Sequence, residues 1–114
     1  MDLQLSDPNG RAREIERMAD NAKRATSFLK AVAHESRLII LCLLSDGEKS
    51  VSQLEHILAL RQPTVSQQLA RLRADGLVTT RREGKVIFYS LASEDVRSVI
   101  GALYDVFCRK ARKR

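Results

Sequence analysis

The sequence has no tryptophan, only two cysteines and two histidines, and no apolar run longer than Leu38 to Leu44. A run that short cannot cross a bilayer, and the polar first residues lack the apolar stretch of a secretory signal. A cytoplasmic protein without membrane contact is expected. The glycines form no phosphate-cradling loop, there is no nucleophile elbow, and His34 and His56 form no metal-binding pair, so the usual signatures of an enzyme are missing. Two separated cysteines, Cys42 and Cys108, do not supply the four ligands of a closed zinc site, and neither a metal nor a cofactor is expected. No internal repeat or low-complexity tract breaks the chain.

What is present is a chain of 114 residues, 44% hydrophobic and 30% charged, which suits one folded domain. The net charge of +6 is uneven. Residues 61–85 carry six Lys or Arg against two Asp or Glu, and residues 109–114 carry five Lys or Arg and no acid, while residues 1–60 come to −1 and residues 86–108 to −2. Two basic segments beside a nearly neutral scaffold suit a polyanionic partner, through phosphate neutralisation and counterion release.

Residues 1–10 show no periodicity and predict a mobile arm. From about Arg11 to Val32 the apolar positions Ile15, Met18, Ala22, Ala25, Phe28, Leu29 and Val32 recur at helical spacing. A second helix, nearly apolar all round and so central, starts near Glu35 and stops at Asp46-Gly47. Ser50 caps a short helix holding Val51, Leu54, Ile57 and Leu58; a break from Ala59 to Gln62 follows, and Pro63 opens the next helix, which ends at Asp75-Gly76. Leu77 to Arg82 and Val86 to Leu91 predict two strands around Glu83-Gly84-Lys85. Ser93 caps a last helix with Glu94 and Asp95 in its first turn and Arg109 and Lys110 near its end. The apolar set of that helix, Val96, Val99, Ile100, Leu103, Tyr104, Val106 and Phe107, is wider than one small domain covers and predicts a homodimer interface. The fold class is mainly α with a β-hairpin wing, a winged helix-turn-helix over residues 11–108 followed by a basic tail, 109–114.

If Val65, Leu69 and Leu72 pack inward, Thr64, Gln67, Gln68 and Arg71 face outward, with Ser66 beside them and Gln62 just ahead. Hydroxyls, amides and an arginine are the groups that hydrogen-bond base edges and phosphates in a major groove. The hairpin adds Arg81, Arg82 and Lys85 around Gly84, which fits a wing laid along the DNA backbone or into the minor groove. Double-stranded DNA is the expected partner.

The segments Ala31-Val-Ala-His-Glu-Ser-Arg-Leu38, Pro63-Thr-Val-Ser-Gln-Gln-Leu-Ala-Arg-Leu72, Gly76-Leu-Val78 and Gly84-Lys-Val-Ile-Phe-Tyr-Ser-Leu91 resemble the ArsR/SmtB repressors over roughly residues 20–108. The resemblance implies a homodimer joined through its first and last helices, bound to an inverted repeat of operator DNA and released by an inducer. Many members of that family have a His where this chain has Gln68. Metal-sensing members use a Cys-x-Cys pair ahead of the recognition helix or a His and carboxylate cluster on the last helix, and neither occurs here. The placing of Cys42 in Ile40-Leu-Cys-Leu43 and of Cys108 at the end of Ala102-Leu-Tyr-Asp-Val-Phe-Cys108 instead resembles the dithiol, persulfide-responsive SqrR/BigR branch. That resemblance implies oxidation of the pair by persulfide or polysulfide to a disulfide or a longer sulfur bridge, with loss of DNA binding and derepression of sulfide-response genes. A metal- or arsenical-responsive repressor using the same two cysteines as ligands is the alternative on this scaffold, and burial of Cys42 as a small hydrophobe is the alternative for the thiol itself.

Overall fold

The computed structural model describes residues 8–59 and 62–108, without the side chains of residues 8, 9, 62, 63 and 108. The elements in order are α1 (Pro8–Val32), α2 (Glu35–Leu44), β1 (Lys49–Ser50), α3 (Val51–Leu58), α4 (Gln62–Ala74), β2 (Val78–Glu83), β3 (Val86–Leu91) and α5 (Glu94–Leu103), which runs on as π-helical turns over Tyr104–Cys108. The strands form one antiparallel sheet in the order β1-β3-β2.

Local chemistry sets these boundaries. Ser50 Oγ accepts from the Gln53 N–H at 3.2 Å while Gln53 Oε1 accepts from the Ser50 N–H at 2.8 Å, a reciprocal capping box that starts α3. Ser93 Oγ accepts from the Val96 N–H and starts α5. Gly76, at φ 78°, ends α4: its N–H reaches the Arg73 carbonyl and the Leu77 N–H reaches that of Leu72, the paired bonds of a Schellman turn that only a left-handed residue closes easily. The hairpin turns on Gly84-Lys85 with positive φ at Gly84 alone, the pattern of a II′ turn, whose twist matches the flanking strands.

The core is one cluster. Ile40, Leu41 and Leu44 of α2, Leu54 of α3, Val65, Leu69 and Leu72 of α4 and Ile100 of α5 are fully buried, and Ala31, Val32, Leu77, Val78 and Leu91 close it. Each large side chain so buried contributes on the order of 2 kcal/mol. The central placing expected of α2 follows, although Ile39 on its remaining side is exposed.

Several expectations are corrected. α1 starts at Pro8, so residues 8–10 are helical; proline fits a first helical position because the N–H it lacks has no intrahelical partner there. The remainder of the expected arm, residues 1–7, lies outside the described residues, as do the tail 109–114 and with it Arg109 and Lys110. α4 begins at Gln62, one residue before Pro63, which then falls inside the first turn. The wing gains a third strand, with Lys49 paired to Tyr89 and Ser50 to Phe88. Two residues are too few to carry an alternating pattern, so only the capping role of Ser50 is visible in the sequence. β2 begins at Val78 rather than Leu77, whose carbonyl instead takes the Ala92 N–H.

The radius of gyration, 17.9 Å, exceeds the roughly 13 Å of a compact chain this long. Of α1, Phe28, Ala31 and Val32 near its end join the core, while Ile15, Met18 and Leu29 are left exposed. No helix among the described residues is long and apolar enough to cross a membrane.

Candidate nucleic-acid interface and cysteine cavity

α3 and α4 are joined by a short connection that begins at Ala59, held in the left-handed region at φ 56° with its N–H on the Glu55 carbonyl. α4 buries Val65, Leu69 and Leu72 completely, and this fixes what the helix displays. Thr64, Gln67 and Arg71 are exposed, Ser66 is half-buried, and Gln62 lies in the first turn. Arg71 Nε is 3.1 Å from Asp75 Oδ2, one turn along the helix. Gln68 departs from the outward placing expected of it. It sits half-buried on the flank of the buried stripe, where its Oε1 accepts from Arg37 Nη1 at 3.2 Å.

On the wing the three expected cations separate. In the β2–β3 register Arg81 faces Phe88 and Arg82 faces Ile87, so consecutive side chains fall on opposite faces. The Arg81 guanidinium binds Glu48 through Nε at 2.9 and 3.2 Å and through Nη2 at 2.6 Å, reaches Glu83 at 3.4 Å and lies 4.8 Å from the centre of the Phe88 ring. Those hydrogen bonds hold the Glu48 carboxyl below its ordinary range and the Arg81 guanidinium above its own. Arg82 and Lys85 are exposed and, among the described residues, make no ion pair.

Between α2 and the end of α5, half-buried Cys42 lines a cavity of about 470 Å³ with Ile39 and Leu43 of α2, Asp46 beyond it, and Tyr104 and Asp105 of the π turns. Cys108 ends the same π turns, four positions after Tyr104. Arg97 of α5 donates from Nη1 to the Ser45 carbonyl at 3.0 Å and so pins the end of α2 against α5. Among the described residues, no three His, Cys, Asp or Glu side chains are grouped to hold a metal ion. His34 and His56 are both exposed; His34 stands at the N-cap of α2 without a side-chain cap bond.

The model for the arsR family of bacterial regulatory proteins matches residues 34–80. The Biofilm growth-associated repressor of Agrobacterium fabrum is 53% identical over 89 residues, which span 75% of this chain and 76% of that one. The chain belongs to the arsR family. The Transcriptional activator HlyU of Vibrio cholerae is 44% identical over 100 residues, covering 88% of this chain and 93% of HlyU, and the structure of its reduced form superposes with a TM-score of 0.78 at 46% identity over 82% of this chain and 99% of that one. A homodimeric winged helix-turn-helix DNA-binding domain from Mycobacterium bovis, described as a possible ArsR-family transcriptional regulator, gives a TM-score of 0.70 at 34% identity over 79% and 83% of the two chains. The arsR-family relatives named here are regulators of transcription and not enzymes, and their fold is the winged helix-turn-helix described above. The matched span of this arsR-family chain runs from the cap of α2 into β2, and so covers α3 and α4 but neither the wing tip nor α5.

Two side chains that contact the candidate interface have no signal of their own in the sequence. Arg37 lies in the family-like segment Ala31 to Leu38 but gives no hint that it reaches Gln68, 31 positions on. Glu48 is one acid in a polar connection, and only the fold brings it to Arg81.

Proposed function

We propose that this arsR-family protein is a homodimeric transcriptional repressor that binds double-stranded operator DNA through α4 and the wing. Release follows when a persulfide or polysulfide oxidises Cys42 and Cys108 to a disulfide or a longer sulfur bridge, derepressing sulfide-response genes in the cytoplasm. The observation that carries the DNA-binding part is the face of α4. With Val65, Leu69 and Leu72 fully buried, Thr64, Gln67 and Arg71 are left displayed, with Ser66 at their edge and Gln62 in the first turn. A hydroxyl, an amide and a guanidinium on one exposed helical face suit base edges and phosphates. Arg82 and Lys85 add positive charge at the wing tip.

Dimerisation is supported by the apolar surface left uncovered on one chain. Ile15, Met18 and Leu29 of α1 and Val99 and Tyr104 near the other end are exposed, and Val106 and Phe107 are 72% and 79% exposed. A two-fold partner presenting the same faces buries both sets.

The switch is supported by the cavity. Cys42 is reachable from it, and Cys108 closes the π turns that line it. The thiolate of one cysteine attacks the sulfane sulfur of a persulfide RSSH and expels RSH; the second thiol attacks the resulting Cys-SSH and expels H₂S. The dithiol is oxidised by two electrons and the persulfide reduced; where a second RSSH first converts the other cysteine to Cys-SSH with release of RSH, its attack on the first Cys-SSH expels H₂S and leaves a three-sulfur bridge.

The test is intact mass of the reduced protein after brief exposure to glutathione persulfide, with binding of a duplex selected from a randomised pool measured on the same samples. An internal bridge between Cys42 and Cys108 with loss of duplex affinity is expected; an unmodified chain with unchanged binding would overturn the switch. Cys42→Ser and Cys108→Ser are each expected to bind the duplex and to ignore the persulfide.

A further inference from the structure

The β2–β3 hairpin holds three cations, and one of them, Arg81, is already committed to carboxylates. Arg81 meets the Glu48 carboxylate with both Nε and Nη2, touches Glu83 with Nη1 and rests over the Phe88 ring. Two carboxylates around one guanidinium leave a local excess of negative charge, which repels a phosphate. An isolated exposed ion pair is weak and exchanges readily, but a two-pronged arginine-carboxylate contact with an aromatic backing holds the planar group in one orientation. Glu48 directly precedes β1, and Ser50 of β1 caps α3, so the contact spans from the wing to the start of the helix pair. Arg82 falls on the other face of β2, and Lys85 sits in the turn.

We propose that Arg81 is a positioning residue: it braces the wing against Glu48 and Phe88, and so sets Arg82 and Lys85 for the DNA backbone without binding phosphate itself. The inference rests on the DNA-binding reading above and adds a division of labour among the three cations of the β2–β3 hairpin.

The test uses the full-length reduced protein and a duplex selected from a randomised pool, with affinity measured across a range of salt. For Arg82→Ala and Lys85→Ala the slope of log Kobs against log salt shrinks by about 1.8 each, since one phosphate contact is lost from each of the two protomers. Arg81→Ala weakens binding several-fold while the slope stays at the wild-type value, because Arg82 and Lys85 still reach their phosphates but must be ordered on binding. The exchange E48R/R81E discriminates most sharply. A brace is rebuilt by the swapped pair and recovers most of the affinity lost in Arg81→Ala, whereas a phosphate ligand replaced by glutamate binds worse than the alanine variant. Worse binding in the exchange, or a slope reduced by about 1.8 in Arg81→Ala, overturns the inference. A wild-type protein that binds no duplex at any salt overturns the parent reading, and the inference falls with it.

Discussion

Arg37 joins two helices that the chain order keeps apart: its Nε donates to the Ala31 carbonyl at the end of α1 at 2.6 Å, and its Nη1 donates to Gln68 Oε1 on α4 at 3.2 Å. Arginine has no acceptor, so the Gln68 oxygen must be the atom that faces it. The amide is thereby turned toward the protein and fixes the pitch of α4 against the corner between α1 and α2.

Gln68→Ala and Arg37→Ala therefore lower affinity for all duplexes by a similar factor, with a stability loss of about 1 kcal/mol for the hydrogen bond. Gln67→Ala behaves differently, losing roughly 1 to 3 kcal/mol on the preferred sequence and relaxing choice at one base pair of each half-site. Selection from a randomised pool with each variant separates the two. A changed base preference in Gln68→Ala would return that residue to the reading face.

Leu69 anchors the buried stripe of α4 and is fully enclosed. Leu69→Ala is expected to cost about 2 to 5 kcal/mol, from the lost burial and the cavity left behind. Urea unfolding followed by circular dichroism measures it, and a loss below about 1 kcal/mol would mean that the stripe is loosely packed.

Glu48 carries the pH dependence of the wing. Its carboxyl is held low chiefly by the hydrogen bond from Arg81, so the pair is intact above the ordinary carboxylate range and is lost as pH falls through the lowered value. A carbon NMR titration of the Glu48 carboxyl is expected to give a midpoint below that of the same group in Arg81→Gln. Coincident titrations would show that the contact does not persist in solution.

The uncovered apolar ends of α1 and α5 predict the response of the assembly. Phe107→Glu places a charge at a position 79% exposed in the single chain, where it does not disturb the core. Sedimentation equilibrium is expected to give twice the chain mass for the wild-type protein and the mass of one chain for the variant. A dimeric variant of unchanged affinity would move the interface elsewhere.

Repeating apolar positions make the helices legible: the spacing of Val65, Leu69 and Leu72 alone identifies the buried side of α4, and the Ser50, Ser93 and Gly76 signals mark the starts of α3 and α5 and the end of α4. Strand β1 was invisible because two residues have no period. Gln68 was placed outward because its angle on the helix sits between the buried and exposed sectors, and only the distant Arg37 decides the matter. Arg81 read as a wing cation for the same reason: sequence shows a charge but not the acid waiting across the fold. Cys42 was readable as a position in α2, while the cavity beside it arises from α5 and its π turns, which no local pattern in α2 announces.

Ser50 is at once the edge of the sheet and the first hydrogen-bond acceptor of α3, with the Glu48–Arg81 brace two residues away. The seam between wing and helix pair thus has no joint. In the two-fold assembly proposed above, each reading head is expected to move as one leg of a pair of dividers whose pivot is the proposed interface of α1 and α5. A small change of angle at the pivot alters the span between the points and leaves their shape intact, and a span mismatched to half-sites about 34 Å apart is enough to lift both heads from the groove.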